Sequence, residues 1–252
     1  MSEVLTEARD GVLIITINRP EAKNAVNRAV AEALAAAMER LDGDTSLNAG
    51  VITGAGGTFC SGMDLKAYLK GELPVVAGKG FAGFIEAPPK KPLIGAVDGY
   101  ALAGGMEIAT ACDLLVANKD AKFGIPEVKR SLVAAGGGLL SLPAIMGKRM
   151  AMELALTGDF FTAQRAYEVG FVNRITDGPA IDAAIELALA IAANGPLALI
   201  ATKQIINERP DWNSENMWAK QAAISMPVFA SNDSKEGARA FAEKRKPNWT
   251  GA

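Results

Sequence analysis

The sequence predicts an α/β fold whose final quarter is helical. Residues 12–18, VLIITIN, form an uninterrupted run rich in β-branched side chains, which is typical of a buried strand. Strand-like and helix-like segments then alternate irregularly, in two to three loosely similar β-then-α units. From residue 179 onward the pattern is almost entirely helical. We therefore expect an α/β (α+β) core followed by a helical C-terminal region.

The other elements follow from the spacing of apolar residues along the chain. After the first strand, a helix is expected to begin near Asn24, with Val30 and Leu34 on its apolar face. The stretch 70–90 is polar and weakly periodic, and we interpret it as a mobile surface segment. The remaining expected strands are 49–53, a strand within 91–112 that leads into a helix, 113–117 and 171–176; the remaining expected helices are 141–157, 162–169, 180–194, 196–207, 213–230 and 233–245.

Composition limits the classes of partner and location. The 252 residues are 50% hydrophobic and carry a formal net charge of −2, so neither nucleic acid nor an anionic membrane is expected as a partner. The N-terminal residues lack the pattern of a secretory signal, and no apolar run is long enough to span a bilayer. Cys60 and Cys112 form no CxxC pair. We expect free thiols in a reducing, cytoplasmic protein.

The absence of histidine restricts the chemistry further. Ser-His and Cys-His nucleophile arrangements are excluded, as is any zinc site that needs imidazole. General acid–base work therefore falls to Asp, Glu, Lys or Tyr.

The segment 91–107, KPLIGAVDGYALAGGME, combines two features of a reactive site. Gly104 and Gly105 allow close approach to the backbone where a helix is expected to begin, and the first amides of a helix have no internal acceptor. Glu107 follows within an apolar run. Its position in the first helical turn is electrostatically favourable by itself, but a carboxylate among apolar neighbours is also typical of a functional group.

Other candidates have simpler interpretations when the residues are considered alone. Glu127 precedes Lys129 and Arg130, so an exposed, paired carboxylate is the default. Asp64 is interpreted as the cap of the helix that follows it. Without histidine, Cys60 and Ser61 are best explained as small residues in a tight turn rather than as nucleophiles.

Of two further motifs, one does not match a nucleotide-binding pattern and the other has two possible interpretations. In GAGGTF at 54–59, Phe59 replaces the third glycine of a dinucleotide fingerprint, so that interpretation is rejected. Lys244, Arg245 and Lys246 form either a solvated helix end or, with Phe241 and Trp249, a basic and aromatic cluster over a phosphorylated nucleotide.

Taken together, five segments resemble the enoyl-CoA hydratase/isomerase (crotonase) superfamily, in the order expected and over nearly the whole chain. The segments are NRPEAKNAV at 18–26, GGTFCSGMDL at 56–65, AVDGYALAGGMEIATACDL at 96–114, KFGIPEVKRSLVAAGGG at 122–138 and FAEKRKPNWTG at 241–251.

The resemblance implies a crotonase-like spiral of ββα units, with a helical C-terminal region that forms trimers or dimers of trimers. Residues 1–194 would form the core that carries the active site, and residues 195–252 the region for oligomerisation and for covering coenzyme A.

The resemblance further implies that the backbone N–H groups of Met63 and Gly104 form an oxyanion hole, and that Glu107 and Glu127 are the two catalytic carboxylates. No metal or redox cofactor is implied, since coenzyme A is part of the acyl-CoA substrate. The substrate and coenzyme A contacts carried over are Ala22, Lys23, Ala25, Ser61, Gly62, Asp64, Leu65, Gly105, Pro126, Phe241 and Lys244.

The expected activity is reversible addition of water to a 2-enoyl-CoA, a hydro-lyase reaction. Ala103 stands where many members have glycine, and SLVAAGGG at 131–138 lacks the form common in straight-chain enoyl-CoA hydratases. Hydratases of carnitinyl-, aromatic or branched acyl-CoAs and Δ3,Δ2-enoyl-CoA isomerases therefore remain alternatives. From another class, a catalytically silent acyl-CoA-binding protein is also an alternative.

Overall fold

The computed structural model describes residues 2–252. The strands of this range lie in three sheets, and each contains six residues or fewer. In chain order they are β1 (Val4–Arg9), β2 (Val12–Ile17), β3 (Ala49–Gly54), β4 (Val75–Val76), β5 (Gly80–Phe81), β6 (Leu93–Val97), β7 (Tyr100–Leu102), β8 (Leu114–Asn118), β9 (Lys122–Gly124), β10 (Phe161–Thr162) and β11 (Arg174–Thr176).

The helices are interspersed among these strands as far as β11, and after β11 they follow one another without strands between them. In chain order they are α1 (Arg28–Gly43), α2 (Leu65–Tyr68), α3 (Gly104–Thr110), α4 (Gly138–Met146), α5 (Lys148–Thr157), α6 (Ala163–Glu168), α7 (Ala180–Ala192), α8 (Pro196–Glu208), α9 (Met217–Ala230) and α10 (Asn232–Ala242). Short 3-10 turns cover Pro20–Ala22, Ala55–Gly57, Glu127–Arg130 and Arg209–Asp211.

The main sheet has the strand order β1-β2-β3-β6-β8-β11. Its first pair is antiparallel, and the strands from β2 to β11 are parallel. Parallel strands need a crossover between them, and these crossovers carry the helices and the candidate site residues. The predicted strand at 12–18 is confirmed as β2, which is buried by neighbours on both sides.

A second sheet, in the order β10-β9-β7, explains the spiral form of the fold. The chain leaves β6, turns at Asp98 and Gly99 into β7, and then enters α3; it repeats this course through β8, β9 and α4. Each ββα unit therefore adds one strand to each sheet. An isolated bridge between Cys60 and Ala101 extends the second sheet to the loop after β3. The predicted α/β core of ββα units is confirmed.

Helix α7 covers one face of the main sheet. Ala180, Ala184, Ala188 and Ala192 recur every four residues on its buried side, and small side chains allow the helix to lie close to the strands. The Asp98 carboxylate accepts hydrogen bonds from the Ala180 amide at 3.2 and 3.3 Å. The start of α7 is thus fixed to the turn that leads into β7.

The expectation of a mobile surface segment at 70–90 was wrong in its second half. Phe84 is fully buried, as is Ala82, and β4 and β5 form a small hairpin just before them. Phe84 fixes this segment to the core, because one buried aromatic ring contributes a large apolar area. The surrounding polar residues hid this from the sequence analysis, since a single apolar residue creates no periodic pattern.

The C-terminal helices attach to the core through a few specific contacts. The ammonium of Lys203 on α8 lies 2.6 Å from the Asp113 carboxylate, and the Trp249 indole donates to the Ala193 carbonyl at 2.8 Å. Helix α9 contains no buried residue, and it exposes large apolar side chains, including Trp218 and Phe229. The division at residue 194 stays a prediction.

In the part of the chain that the structure describes, no single helix is long and apolar enough to cross a membrane. Two successive segments, Ala180–Ala192 and Pro196–Asp211, meet the length and hydropathy criteria only when joined, and they are bent by 108°.

Candidate active site

The loop after β3 presents a main-chain N–H group without an acceptor. Gly62 accepts a hydrogen bond from the Val26 amide at 2.8 Å, and the Asp64 amide donates to Val26 at 2.9 Å. These two bonds flank Met63, and no acceptor for the Met63 N–H occurs among the described residues. Both neighbouring residues are held in place, so the direction of the Met63 amide is fixed although the amide itself is unpaired.

A second unpaired N–H group lies at the start of α3. Gly104 is the first residue of this helix, and its N–H has no acceptor among residues 2–252. A Cβ built on Gly62 would lie 3.0 Å from the Gly104 nitrogen and 2.8 Å from the Cβ of Ala103. Gly62 is therefore the contact through which the loop of Met63 approaches the start of α3. That the Met63 and Gly104 amides together form an oxyanion hole, as the resemblance implies, stays a prediction.

Ala103 occupies a conformation that glycine adopts more easily. Its φ is 52° and its ψ is −128°, and it precedes the first helical residue. The strain is balanced by hydrogen bonds: the Ala103 amide donates to Gly124, and its carbonyl accepts from the amides of Met106 and Glu107. These bonds fix the peptide that carries the Gly104 N–H.

The Phe81 ring packs directly against the Cα of Gly104, so a Cβ at this position would collide with the ring. The sequence analysis missed Phe81, because it lies in a two-residue strand within the segment interpreted as surface. The contact explains the need for glycine at 104 independently of any ligand.

Glu107 is buried in the first turn of α3, with 4% of its surface exposed. Its Oε1 accepts a hydrogen bond from the Gly138 amide at 3.1 Å. Burial raises the pKa of Glu107, while this amide and the nearby N–H of Gly136 favour the ionised form and partly offset the effect of burial. Gly136 and Gly138 were part of a recognised segment, but their contact with Glu107 was not foreseen.

Glu127 begins the 3-10 turn Glu127–Arg130 and is half-buried. The default interpretation, a surface carboxylate paired with Lys129 or Arg130, was wrong: Lys129 pairs with Asp159 at 2.7 Å, and the described residues contain no ion pair between Glu127 and Arg130. The buried Oε2 of Glu127 has no hydrogen-bond partner in the described chain. Burial, together with a smaller contribution from the negative charge of Glu107, raises the pKa of Glu127 to about 7.

The two carboxylates therefore lie within electrostatic reach of each other but in different surroundings. Glu107 has amide donors that stabilise its charge, whereas Glu127 has an unpartnered oxygen that is best accommodated as a protonated carboxyl group. Surroundings that separate the protonation of two carboxyl groups are typical of an acid and base pair.

A cavity of about 420 Å³ opens beside Glu127. Most of its lining is apolar and comes from the segment 125–134 and from α4 and α5, and neither Glu107 nor the unpaired amides belong to it. A second cavity, of about 740 Å³, lies between α3, α8 and the segment 85–92, and it contains neither carboxylate. The first cavity is therefore the better candidate for receiving the part of a ligand beyond Glu127.

The segment 18–26 folds against the loop of Met63. The Arg19 guanidinium donates to the Ala25 carbonyl and lies 3.0 Å from the Asp64 carboxylate, and the Lys23 carbonyl accepts from the Ser61 amide at 3.1 Å. Asn24, near which a helix was expected to begin, is instead fully buried and donates hydrogen bonds to carbonyls of the loop 55–58, and α1 begins only at Arg28. Ala22 ends the 3-10 turn before Asn24.

The remaining predicted contact residues have defined structural positions. Asp64 caps α2 by accepting from the Lys66 and Ala67 amides, as expected. Leu65 begins that helix and is exposed, and Gly105 packs against the Cys60 carbonyl. Pro126 precedes the turn of Glu127 and touches the end of α5. Whether these residues also contact a ligand stays a prediction.

The predicted basic and aromatic cluster at the C-terminus is not formed within this chain. Phe241 is 88% exposed, and Lys244 lies in the exposed turn after α10. Arg245 pairs with Glu236 and Glu243, while Trp249 packs near Gly195 and Gly237. Neither Phe241 nor Lys244 lines the cavity beside Glu127.

The cysteine beside the site is buried and protonated. Burial raises the pKa of the Cys60 thiol to about 12, so its thiolate is not accessible near neutral pH. Its sulfur accepts a hydrogen bond from the Gly62 amide at 3.4 Å, which is a structural role. Among the described residues, no cluster of three or more His, Cys, Asp or Glu side chains has the arrangement of a metal site.

Known proteins resemble this chain over nearly its whole length. The profile of the enoyl-CoA hydratase/isomerase family matches residues 7–252. The chain is 40% identical to enoyl-CoA hydratase EchA19 of Mycobacterium tuberculosis, with 98% of this chain and 96% of that protein covered. It is 39% identical to the carnitinyl-CoA dehydratase of Salmonella arizonae, with both chains covered completely.

The similarity extends to solved structures. The crystal structure of an enoyl-CoA hydratase from M. tuberculosis H37Rv superposes with a TM-score of 0.98 at 61% identity, and both chains are covered completely. The resemblance found in five sequence segments is therefore confirmed over the whole fold, and this chain belongs to the enoyl-CoA hydratase/isomerase family.

Proposed function

We propose that the chain is an enoyl-CoA hydratase, which adds water reversibly across the double bond of a 2-enoyl-CoA. The observation that carries this proposal is the pair of unlike carboxyl groups, Glu107 with amide donors and Glu127 with an unpartnered buried oxygen. Addition of water needs one group that takes a proton and one that gives a proton, and the pair supplies both.

In the proposed mechanism, the N–H groups of Met63 and Gly104 donate to the thioester carbonyl oxygen. As water attacks C3, negative charge develops on this oxygen, and each preorganised donor stabilises it by about 3 kcal/mol. The site uses only main-chain amides for this task, so a methionine is compatible with the position. The mechanism needs no metal or redox group.

Glu107 orients the water and takes one of its protons as the C3–O bond forms. The electrons of the C2–C3 double bond move into the enolate, and the carboxyl group of Glu127 then delivers a proton to C2. Each turnover leaves Glu107 protonated and Glu127 ionised, and transfer of the proton between them restores the starting state. Because the two groups interact, they titrate as a pair.

Coenzyme A is proposed to lie along the segment 18–26, where Ala22, Lys23 and Ala25 contact it mainly through the backbone. Phe241 and Lys244 are exposed, and we propose that they cover its nucleotide end across a subunit boundary. Ser61, Gly62, Leu65 and the other predicted contact residues surround the thioester.

The exposed apolar surface of α9 supports the proposal of a homotrimer or a dimer of trimers, since contiguous exposed apolar side chains mark association surfaces. Measurement of the mass in solution tests it, and a monomer at micromolar concentration contradicts it. We propose a cytoplasmic location on the basis of the two unpaired cysteines.

The decisive experiment follows the absorbance of crotonyl-CoA mixed with the purified protein in metal-free buffer. We expect decay to a hydrated equilibrium that contains 3-hydroxybutyryl-CoA. Glu107→Gln and Glu127→Gln should each reduce the turnover number by at least about 100-fold while coenzyme A binding persists. Glu215→Gln, which changes an exposed carboxylate, is the matched control and should have normal activity. Near-normal turnover by either test variant contradicts the two-carboxylate mechanism.

If crotonyl-CoA binds but does not react, other acyl groups decide among the alternatives. Turnover of a 3-enoyl-CoA identifies an isomerase, and turnover of carnitinyl-CoA identifies the activity named for the S. arizonae relative. Binding without turnover of any thioester identifies a silent acyl-CoA-binding protein.

A further inference from the structure

One face of α5 forms a wall of the cavity beside Glu127. The residues of this face follow the helical spacing of three and four: Lys148, Ala151, Met152, Ala155 and Leu156. Met152 and Leu156 are more than half exposed, so a ligand in the cavity would cover apolar surface that water now contacts.

The direction of α5 sets the order of groups along this wall. Gly158 caps the C-terminal end of α5, and a Cβ on Gly158 would lie 3.2 Å from the Pro126 Cα, immediately before Glu127. Lys148 is the first residue of the helix. At 1.5 Å per residue, the two ends of α5 are roughly 15 Å apart. The cavity therefore has a carboxyl group near one end of the helix and an ammonium group at the other.

Lys148 differs from the rest of the lining in its charge. Apart from Glu127, it is the only charged residue among the twelve that line the cavity, within the described chain. Its ammonium has no ion-pair or hydrogen-bond partner in residues 2–252, whereas Lys129, on the turn that carries Glu127, is paired with Asp159. A long apolar stem and a charged tip allow Lys148 to line an apolar cavity while it presents charge at the rim.

We propose that Lys148 binds a carboxylate at the distal end of the acyl group, so that the preferred substrates are 2-enedioyl-CoA thioesters, with a carboxylate at the end remote from coenzyme A. This proposal rests on the proposed function, since it assumes that the acyl group extends from Glu127 along α5. The apolar wall packs against the methylene groups, and the ammonium pairs with the terminal carboxylate as the ligand displaces water around it. A cationic acyl group such as carnitinyl is disfavoured at the same position.

The test compares diacid and monoacid substrates of equal length. The values of kcat/KM are measured for six-, eight- and ten-carbon 2-enedioyl-CoAs and for the matching 2-enoyl-CoAs. We expect the wild type to favour the diacid at one or more of these lengths. Lys148→Met keeps the apolar stem and removes the charge, and it should lower the diacid-to-monoacid ratio by about tenfold. Lys148→Arg should retain most of the preference.

Arg149→Met is the matched control, because Arg149 is adjacent, exposed and outside the cavity lining. It should leave the ratio unchanged. Equal ratios for the wild type and Lys148→Met at all three lengths overturn the proposal, as does an equal loss in Arg149→Met.

A binding measurement separates this proposal from the hydratase function. The affinities of saturated hexanedioyl-CoA and hexanoyl-CoA, and of their eight- and ten-carbon counterparts, are compared by calorimetry in the wild type and in Lys148→Met. A preference for the diacid that depends on Lys148 supports the recognition role even if no enoyl-CoA reacts. Hydration without any such preference supports the hydratase function and overturns the role of Lys148.

Discussion

The carboxylate of Glu107 occupies the space beside the Cα of Gly136, where a Cβ would lie 2.7 Å from Glu107 Oε2. The amide of Gly138, two residues later, donates to the other oxygen of the same carboxylate at 3.1 Å. The glycines at 136–138 therefore form a close-fitting backbone support for a buried charge. Glycine is needed at 136 and 138 because a side chain at either position would crowd Glu107, and not only because α4 begins there.

Gly136→Ala should therefore impair catalysis more than folding. The new methyl group would push the Glu107 carboxylate out of position, and displacement by about 1 Å is expected to reduce the turnover number by roughly 10- to 100-fold. Crotonyl-CoA hydration measures this effect, and circular dichroism reports folding. Gly43→Ala is the control, since a Cβ there meets no atom within 4 Å. Equal activity of the two variants would show that Glu107 does not need this support.

Gly62→Ala tests the approach of the two unpaired amides. A Cβ on Gly62 would press on Ala103 and on the Gly104 nitrogen, so we expect a loss of about 100-fold in the turnover number. Gly57→Ala is closely matched, because Gly57 also has a positive φ, of 74°, but a Cβ there meets nothing within 4 Å. Both variants should lose about 1 kcal/mol of unfolding free energy from backbone strain, and only Gly62→Ala should lose the rate. A similar rate loss in both would assign the effect to strain alone.

Ala103→Gly should stabilise the protein by about 0.5–1 kcal/mol. The φ of 52° costs an alanine more than a glycine, and this gain exceeds the greater entropy of glycine in the unfolded chain. Urea denaturation measures the difference. A lower unfolding free energy would mean that packing of the Ala103 methyl against Gly62 outweighs the strain.

The pH dependence of kcat/KM should report Glu127. With its pKa raised to about 7, the carboxyl group loses its proton as the pH rises through neutrality, so activity should fall there. The positive charge of Arg130 lowers the pKa of Glu127, and Arg130→Met should therefore move the falling limb to higher pH. Lys129→Met removes a charge that is already paired with Asp159 and should leave the limb in place. If the fall in activity at high pH does not move in Arg130→Met, a group other than Glu127 is responsible for it.

The same pKa predicts how stability depends on pH. The folded protein holds the Glu127 proton more tightly than the unfolded chain does, so this stabilisation is complete below a pH of about 4.5 and is lost as the pH rises towards 7. Glu127→Gln has no such loss. Its melting temperature relative to the wild type should therefore be higher at about pH 8.5 than at about pH 5. If the difference in melting temperature between Glu127→Gln and the wild type is the same at both pH values, the pKa of Glu127 is not raised in the folded protein.

The sequence predicted the main elements of the fold because their signals were long. The β-branched run of β2 and the apolar face of α1 extend over several residues. The predicted strand 12–18 lies within one residue of the bounds of β2, whereas the helix expected to begin near Asn24 begins four residues later, at Arg28. By contrast, β7, β9 and β10 contain three residues or fewer. Strands this short cannot show the alternation of buried and exposed residues that identifies a strand, so the sequence did not predict the second sheet. β1 was also missed, because only Val4 of its six residues is buried.

The candidate site likewise has residues that the sequence indicated and contacts that only the structure shows. Glu107 was singled out because a carboxylate within an apolar run stands out in a sequence, whereas Glu127 became a candidate only through the family resemblance. The contacts that distinguish them were not foreseen: the Gly138 amide at Glu107 and the Phe81 ring on Gly104 depend on segments that meet only in three dimensions. Lys148 lacked any signal, since its position at the far end of a cavity wall is set by the packing of α5 against the turn of Glu127.

The N–H groups of Met63 and Gly104 belong to the main chain, and this has a consequence for mutational mapping. Replacing the Met63 side chain by alanine leaves its amide where it was, so an alanine scan would score that position as dispensable. Gly62 would be scored as essential although it has no functional group. In such a scan, positions where a side chain is forbidden would be sensitive alongside the two carboxylates, and homologues can differ at 63 while they preserve the same chemistry.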